Sequence, residues 1–351
     1  MSNLHTTLGW LRKSMTLLVI LWVFGYIFTN LPPDVIRPLC VYPLFSHTSR
    51  CRLKEPKTFY ADFPEMMGIQ SRTFEHLLDE SIGGSSLAIE IKNAEMSMRE
   101  LVSLVKISDL TSKDLLASSM SEFVKDAKRT GVGLQDLTAK IHGSVDDILA
   151  INEYAMRSIE AAKGEPEESL PWPFMGMAKS SVEVARRSFD HVFLTLSTSI
   201  DDLVAEAQRS LNDLDNLEER LNTMNDIVTR EDKSLSKKHK DLLASIWYKV
   251  GRGKVEKEQF EEDLAVLKNV GTYRKRAVDY VMNAMNELGK IKADMKVLRG
   301  KVRSPAITRG IPMEVQLESI RSGVMKLKQK SINAREQEQV AYKNFKARKN
   351  S

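Results

Sequence analysis

The sequence has few of the residues that form turns, cross-links or large aromatic cores. Its 351 residues include 17 glycines, 11 prolines and 2 cysteines, and aromatic side chains make up 7% of the chain. A composition this poor in turn-forming residues, with 28% charged residues, argues against ordinary globular domains. It indicates long helices with narrow apolar seams, and we therefore predict an all-α protein.

Residue patterns that support catalysis are also missing. The sequence contains no H-E-x-x-H, C-x-x-C or G-x-S-x-G motif, and its two candidate phosphate loops each lack a required glycine. His142 and Asp146 stand one helical turn apart and could supply half of a metal site, but no companion ligands accompany them. We interpret His142 as a surface histidine and expect no enzymatic activity, no cofactor and no metal.

One segment near the N-terminus is free of charge. Residues 14–33 carry no charged side chain, and Leu17–Phe28 is continuously apolar or aromatic. Twenty helical residues span about 30 Å, which is enough to cross the hydrocarbon core of a membrane. We predict an uncleaved signal-anchor, because the residues after Phe28 make a poor cleavage site. A cleaved signal peptide and a mitochondrial presequence-like anchor remain as alternatives.

The two cysteines bear on the orientation of this anchor. Cys40 and Cys51 lie eleven residues apart, directly after the uncharged segment. Such a pair would form a disulfide in an oxidising compartment, whereas two reduced thiols would indicate a cytosolic body. The basic residues on either side of the anchor nearly balance, so we use the cysteine pair to favour a lumenal or extracellular body.

Charge is distributed unevenly along the chain. Residues 1–57 hold 7 basic and 2 acidic residues, residues 296–351 hold 14 and 4, and the part between them is net acidic. The basic C-terminal region is a candidate for contact with acidic protein or anionic phospholipid, whereas nucleic acid is an unlikely partner. The candidate contact residues are Arg335, Lys343, Lys346, Arg348 and Lys349.

Hydrophobic periodicity and the positions of proline and glycine predict the organisation of the chain. Gly83-Gly84 and the Thr130–Gly133 segment are predicted to interrupt helices. Residues 179–232 contain neither proline nor glycine and include a heptad pattern typical of a coiled coil. The predicted segments are a tail (1–13), the anchor (14–33), an irregular neck (34–70), a first helical segment (71–163), a linker (164–178), long helices with coiled-coil character (179–300), a hinge (301–312) and a basic helix with its tail (313–351).

These features predict an N-terminal transmembrane helix followed by an elongated helical bundle or coiled-coil body. We expect a single-pass scaffold or tether that contacts itself or another helical protein, with its body lumenal or extracellular. The endomembrane system or the plasma membrane is the expected location, ahead of a mitochondrial membrane. A cytosol-facing tether whose basic tail contacts anionic membrane is the alternative, and a secreted helical protein is a further one.

Overall fold

The computed structural model describes residues 22, 61–164, 181–231, 242–251, 255–302 and 311–349. The chain divides into two units, Met1–Phe59 and Tyr60–Ser351, and the fold described below is that of the second. Every regular element among its described residues is an α-helix, which confirms the predicted all-α class. These helices are α1 (Phe63–Lys106), α2 (Lys113–Gly164), α3 (Ser181–Glu231), α4 (Leu242–Gly251), α5 (Lys257–Val302) and α6 (Met313–Lys349).

The first helix begins earlier than the sequence suggested. The side chain of Asp62 accepts a hydrogen bond from the backbone N–H of Glu65 at 3.0 Å and caps the helix. Pro64 lies in the first turn, where its missing N–H costs nothing. Residues 63–70, which we assigned to the irregular neck, are therefore helical.

Helices α1 and α2 form an antiparallel hairpin. A turn of six residues after Lys106 reverses the chain. Far from that turn, Asn152 Nδ2 donates to Gln70 Oε1 at 2.7 Å, so the start of α1 lies beside the later part of α2. The two long helices are thus in contact over most of their lengths.

Helices α3 and α5 complete a ring of four. Helix α3 packs against α2, and Lys140 Nζ lies 2.7 Å from a carboxylate oxygen of Glu206. Helix α5 packs against both α3 and α1, and Lys301 Nζ at its C-terminal end lies 2.6 Å from Glu65 at the start of α1. Each neighbour in the ring runs antiparallel to the next, as in an up-down-up-down bundle.

Large apolar side chains fill the centre of this ring. Phe63 and Phe189 meet edge to face across the bundle, with ring centroids 5.4 Å apart. The largest fully buried residues of the ring include Phe63, Phe74, Met98, Leu101, Met120, Phe123 and Phe189. Burial of these side chains is the main source of stability for the bundle.

The short helix α4 covers one end of the ring, against α5 and α1. Trp247 is fully buried there, stacks on Phe260 at 5.7 Å, and donates from Nε1 to the Phe260 carbonyl oxygen at 3.0 Å. The indole ring is therefore buried against another aromatic ring, and its N–H group has a hydrogen-bond acceptor.

Helix α6 lies outside the ring, in the groove between α1 and α2. A side chain added at Gly323 would meet Met67 near the start of α1, and further along, Ser81 Oγ donates to Glu338. Helix α6 therefore runs parallel to α1 and antiparallel to α2.

The prediction that Gly83-Gly84 interrupts a helix is wrong. Helix α1 continues through both glycines. A Cβ atom at Gly84 would lie 2.5 Å from the ring of Tyr280, which is buried and hydrogen-bonded to Thr138 at 3.3 Å. Burial raises the pKa of Tyr280. Gly84 is therefore a point of close approach between α1 and α5.

The prediction that Thr130–Gly133 ends a helix is also wrong, because α2 runs unbroken to Gly164. A Cβ atom at Gly131 would lie 3.6 Å from the carbonyl oxygen of Ala88, and one at Gly133 would lie 3.5 Å from Ser210 Oγ. The two glycines thus face α1 and α3 respectively. They allow close packing on two sides of α2.

The glycine-free stretch forms one helix, as expected. Helix α3 spans Ser181–Glu231, and its buried positions include Ala207, Leu214 and Val228 of the predicted heptads. Leu217 and Met224 are buried as well, and each precedes a polar residue, Glu218 or Asn225, that interrupts the apolar heptad pattern. The coiled-coil pattern is used here within one chain, as the inner face of a bundle helix.

Candidate functional site

The basic C-terminal region is the candidate site, and the structure places its helical part on the α1–α2 hairpin. Helix α6 buries a narrow apolar stripe against that hairpin. The buried apolar residues of this stripe are Leu317, Ile320, Val324, Leu327 and Ala334. They recur at spacings of three, four and seven, as one face of a helix requires.

Ion pairs join α6 to α1. Lys326 Nζ lies 3.1 Å from Glu75, and Lys330 Nζ lies 2.6 Å from Asp79. Both carboxylates belong to the acidic middle part of the chain, and both lysines belong to its basic C-terminal region. Part of the charge asymmetry in the sequence is therefore neutralised within the molecule.

A second set of ion pairs joins α6 to α2. Arg321 Nη2 lies 2.8 Å from Glu160, and Arg335 Nη2 lies 2.6 Å from Asp146. Among the candidate contact residues whose side chains are described, Arg335 is thus the one that bonds a carboxylate of its own chain. Each such half-exposed pair contributes at most about 1 kcal/mol. The ion pairs therefore add little to the stability of the contact between α6 and the hairpin, and mainly favour one position of α6 on it.

A polar junction connects three helices. His142 Nε2 lies 2.9 Å from Glu338 Oε1, and Ser81 Oγ donates to the same oxygen at 2.9 Å. His142 is buried, so its interpretation as a surface histidine is wrong. Asp146, its predicted companion ligand, bonds Arg335 instead. Among the described residues, no cluster of three metal-ligating side chains occurs.

The other candidate contact residues lie further along α6. Lys343 and Lys346 are exposed, and Arg348 and Lys349 belong to the same helix, although their side chains are outside the described part. An open groove of about 420 Å³ brings Lys343 close to Arg335. Ser85, Gln135 and Tyr342 are also among its lining residues. Glu338 lines it too, so the groove presents charges of both signs beside hydroxyl groups.

An acidic cluster between α1 and α5 serves packing. Ser97 Oγ donates to Asp263, and Gln259 Nε2 donates to the same carboxylate at 2.9 Å. Burial and the neighbouring Asp263 raise the pKa of Glu100. The hydrogen bond from Ser97 ties the later part of α1 to the beginning of α5, whereas the one from Gln259 lies within α5.

Several predicted features lie outside the described residues. They are the tail (1–13), the uncharged segment 14–33 apart from residue 22, the pair of Cys40 and Cys51, the linker (164–178) beyond residue 164, and the hinge (301–312) between residues 302 and 311. The helices in the described ranges include none that combines the length and apolar character needed to cross a membrane.

Comparison of the sequence with models of known protein families gives no match, and comparison with curated proteins gives none either.

Helix α6 has two apolar faces. Val324 and Leu327 belong to the buried stripe, whereas Ile332 is exposed. Met325 is exposed as well and lies one heptad before Ile332. That seven-residue spacing is the sequence signal for a second, outward face.

Proposed function

We propose that the protein is a single-pass, membrane-anchored scaffold or tether that acts through contacts between helices. The observation that carries this proposal is the body of long helices, the longest of which has 52 residues, with charged and apolar side chains on outward faces. The uncharged segment 14–33 in the sequence supports the anchor. An anchor of this kind would keep the helical body at a membrane.

The favoured orientation places the body in the lumen or outside the cell. The spacing of Cys40 and Cys51 supports this orientation, because a short disulfide loop is stable in an oxidising compartment. The endomembrane system or the plasma membrane is the corresponding location.

Protease protection of the full chain in intact membranes tests this proposal. We expect the body to be protected and to become digestible only after detergent is added. Non-reducing electrophoresis with thiol labelling should show that Cys40 and Cys51 resist labelling in cells. Digestion of the body in sealed, cytosol-out vesicles, together with free labelling of both thiols, would contradict the lumenal orientation.

Charged substitutions test the anchor itself. Ile20→Lys with Val23→Lys places two cations in the middle of the uncharged segment, which strongly disfavours membrane insertion. We expect this variant to be released from membranes by alkaline carbonate. The matched control, Met282→Lys on the exposed surface of α5, should stay in the membrane fraction.

A cytosol-facing tether is the second candidate, and the exposure of Lys343 and Lys346 favours it. These lysines lie beyond the ion pair of Arg335 with Asp146, so they are placed to contact anionic lipid headgroups. Binding of the full chain to phosphatidylserine vesicles should then fall with added salt and with Lys343→Glu and Lys346→Glu. Equal binding to neutral and anionic vesicles would reject this candidate.

A further inference from the structure

The outward face of α6 is regular, and its residues are exposed, although Arg321 and Glu314 also bond side chains of α2. Met325 is 59% exposed and Ile332 is 44% exposed, and both point away from the buried stripe that docks on α1 and α2. The outward face consists of Glu314, Glu318, Arg321, Met325, Gln329, Ile332, Glu336, Gln339 and Lys343, all of them exposed. Two large apolar side chains at its centre are flanked by charges on both sides.

The order of residues along this face is symmetric about its centre. Met325 and Ile332 lie at equal distances from the midpoint between residues 328 and 329. At the next turn outward, Arg321 on one side corresponds to Glu336 on the other. Opposite charges therefore occupy equivalent positions, and a reversed copy of the helix would meet complementary charges.

The two ends of the outward face also carry opposite charges at equal distances from its midpoint. Glu314 and Lys343 also lie at equal distances from the midpoint, about 44 Å apart along the helix. The charged pairs and the central apolar pair thus share one register. A single face that complements itself when reversed is what a two-fold symmetric interface requires.

We propose that α6 pairs antiparallel with α6 of a second copy of this chain. In this arrangement Met325 packs on Ile332 of the second copy. Arg321, which also bonds Glu160 of its own chain, approaches Glu336 of the second copy. Glu314, which also bonds Lys163 of its own chain, approaches Lys343 of the second copy. The inference rests on the proposed scaffold function and identifies the helical partner as a second copy. Its basis is charge complementarity in a register set by the apolar pair.

The charges beside the outward face are compatible with this pairing. Lys330 and Arg335 are neutralised by Asp79 and Asp146 of their own chain, so two docked α6 helices do not meet as bare cations. The two copies of Lys328 lie beside the symmetry axis, and this like-charge pair weakens the contact. We expect a dimer that forms reversibly and depends on concentration.

Cysteine cross-linking of the full chain in a mild detergent tests the register. Cys40 and Cys51 are first replaced by serine, and then Met325→Cys and Ile332→Cys are made in separate chains. We expect a cross-linked dimer only when the two chains are mixed. In either chain alone, the equivalent cysteines lie about 10 Å apart along the axis, too far for a disulfide. Cross-linking of each chain with itself would indicate a parallel pair and overturn the proposal.

Sedimentation velocity tests the apolar centre. Met325→Asp should weaken dimerisation at least tenfold, by roughly the loss of one buried methionine contact. The matched control, Met282→Asp on α5, replaces a methionine of similar exposure, 52%, and should dimerise as the unmodified chain does. Unchanged dimerisation of the Met325→Asp chain would overturn the proposal.

The outcomes separate this inference from the proposed function. A chain that stays in the membrane fraction but is strictly monomeric overturns the α6 pairing and leaves the anchored scaffold, with a different helical protein as its partner. A chain that dimerises with the expected cross-link but is released by carbonate keeps the pairing and overturns the anchor.

Discussion

The four-helix ring and α6 are held in place by different interactions. Contacts within the ring combine large buried apolar side chains with close approaches at glycine, such as Gly84 beneath Tyr280. Helix α6 buries a narrower stripe and adds ion pairs to both α1 and α2. Moderate salt does not weaken apolar burial, whereas it screens half-exposed ion pairs. The ring is therefore the stable part of the body, and α6 is the part whose attachment responds to conditions.

The largest expected effect comes from removing a core aromatic ring. Phe63→Ala leaves a cavity at the edge-to-face contact with Phe189 and should lower the free energy of unfolding by about 4 kcal/mol. Urea denaturation followed by circular dichroism measures this change. The control, Met282→Ala on the exposed surface of α5, should change stability by less than about 0.5 kcal/mol. A loss as small for Phe63→Ala would mean that this contact is not part of the core.

Adjacent glycines in α1 should respond in opposite directions. Gly84→Ala places a methyl group 2.5 Å from the Tyr280 ring, and we expect a destabilisation of about 2 kcal/mol. Gly83→Ala meets no atom within 4 Å and should stabilise the helix by about 0.5–1 kcal/mol. The same denaturation experiment compares the two variants. Equal effects would show that Gly84 does not lie against α5.

Charge reversal should loosen α6 and leave the ring intact. Lys326→Glu with Lys330→Glu puts new carboxylates beside Glu75 and Asp79, at a cost of about 1 kcal/mol for each lost pair. Hydrogen exchange read by mass spectrometry should become faster in α6 peptides and stay unchanged in peptides of α3. The control is Lys328→Glu, which changes the charge of an exposed residue on the outward side of α6. Equally fast exchange in α3 would contradict independent attachment.

The smallest effect should come from a cluster within a single helix. Hydrogen bonds from Arg186 and Arg187 lower the pKa of Glu183 to about 2. Because the folded pKa lies below the unfolded value of about 4.3, the contribution to stability is complete above pH 4.3 and is lost as the pH falls towards 2. Solvent screening limits it to a few tenths of a kcal/mol, roughly.

An NMR titration of the Glu183 carboxyl carbon measures this pKa directly. The comparison variant is Glu183→Gln, whose stability should show a slightly weaker dependence on pH between pH 4.3 and pH 2. A midpoint near the ordinary value for glutamate would show that the two arginines do not engage the carboxylate in solution.

The sequence predicted correctly those features that depend on a single helix, such as its length and its apolar face. The absence of proline and glycine predicted α3, and heptad positions such as Leu214 and Val228 are buried. Glycines were misread, because a glycine that breaks a helix and one that admits a neighbouring helix look the same in a sequence. Gly84 acquires its meaning only when Tyr280, almost 200 residues away, packs above it.

The candidate site was predicted less completely for a related reason. Charge asymmetry correctly marked the C-terminal region as basic, but the sequence does not show which cations meet carboxylates of the same chain. Arg335 and Lys343 each carry one positive charge in the same region of the sequence. In the structure, Arg335 lies against Asp146, whereas Lys343 lines an open groove. The burial of His142 depends likewise on Glu338, a residue on a helix that docks from outside the ring.

The order of the helices in the ring indicates the order in which they dock during folding. Helices α1 and α2 can pair as soon as both exist, and α3 can then add to α2, because each contact is made between successive helices. The contact between α1 and α5 closes the ring across a long separation, and α6 must return to α1 across a longer one. Contacts between distant segments form slowly. We expect the hairpin to form first, ring closure to follow, and the C-terminal helix to dock last.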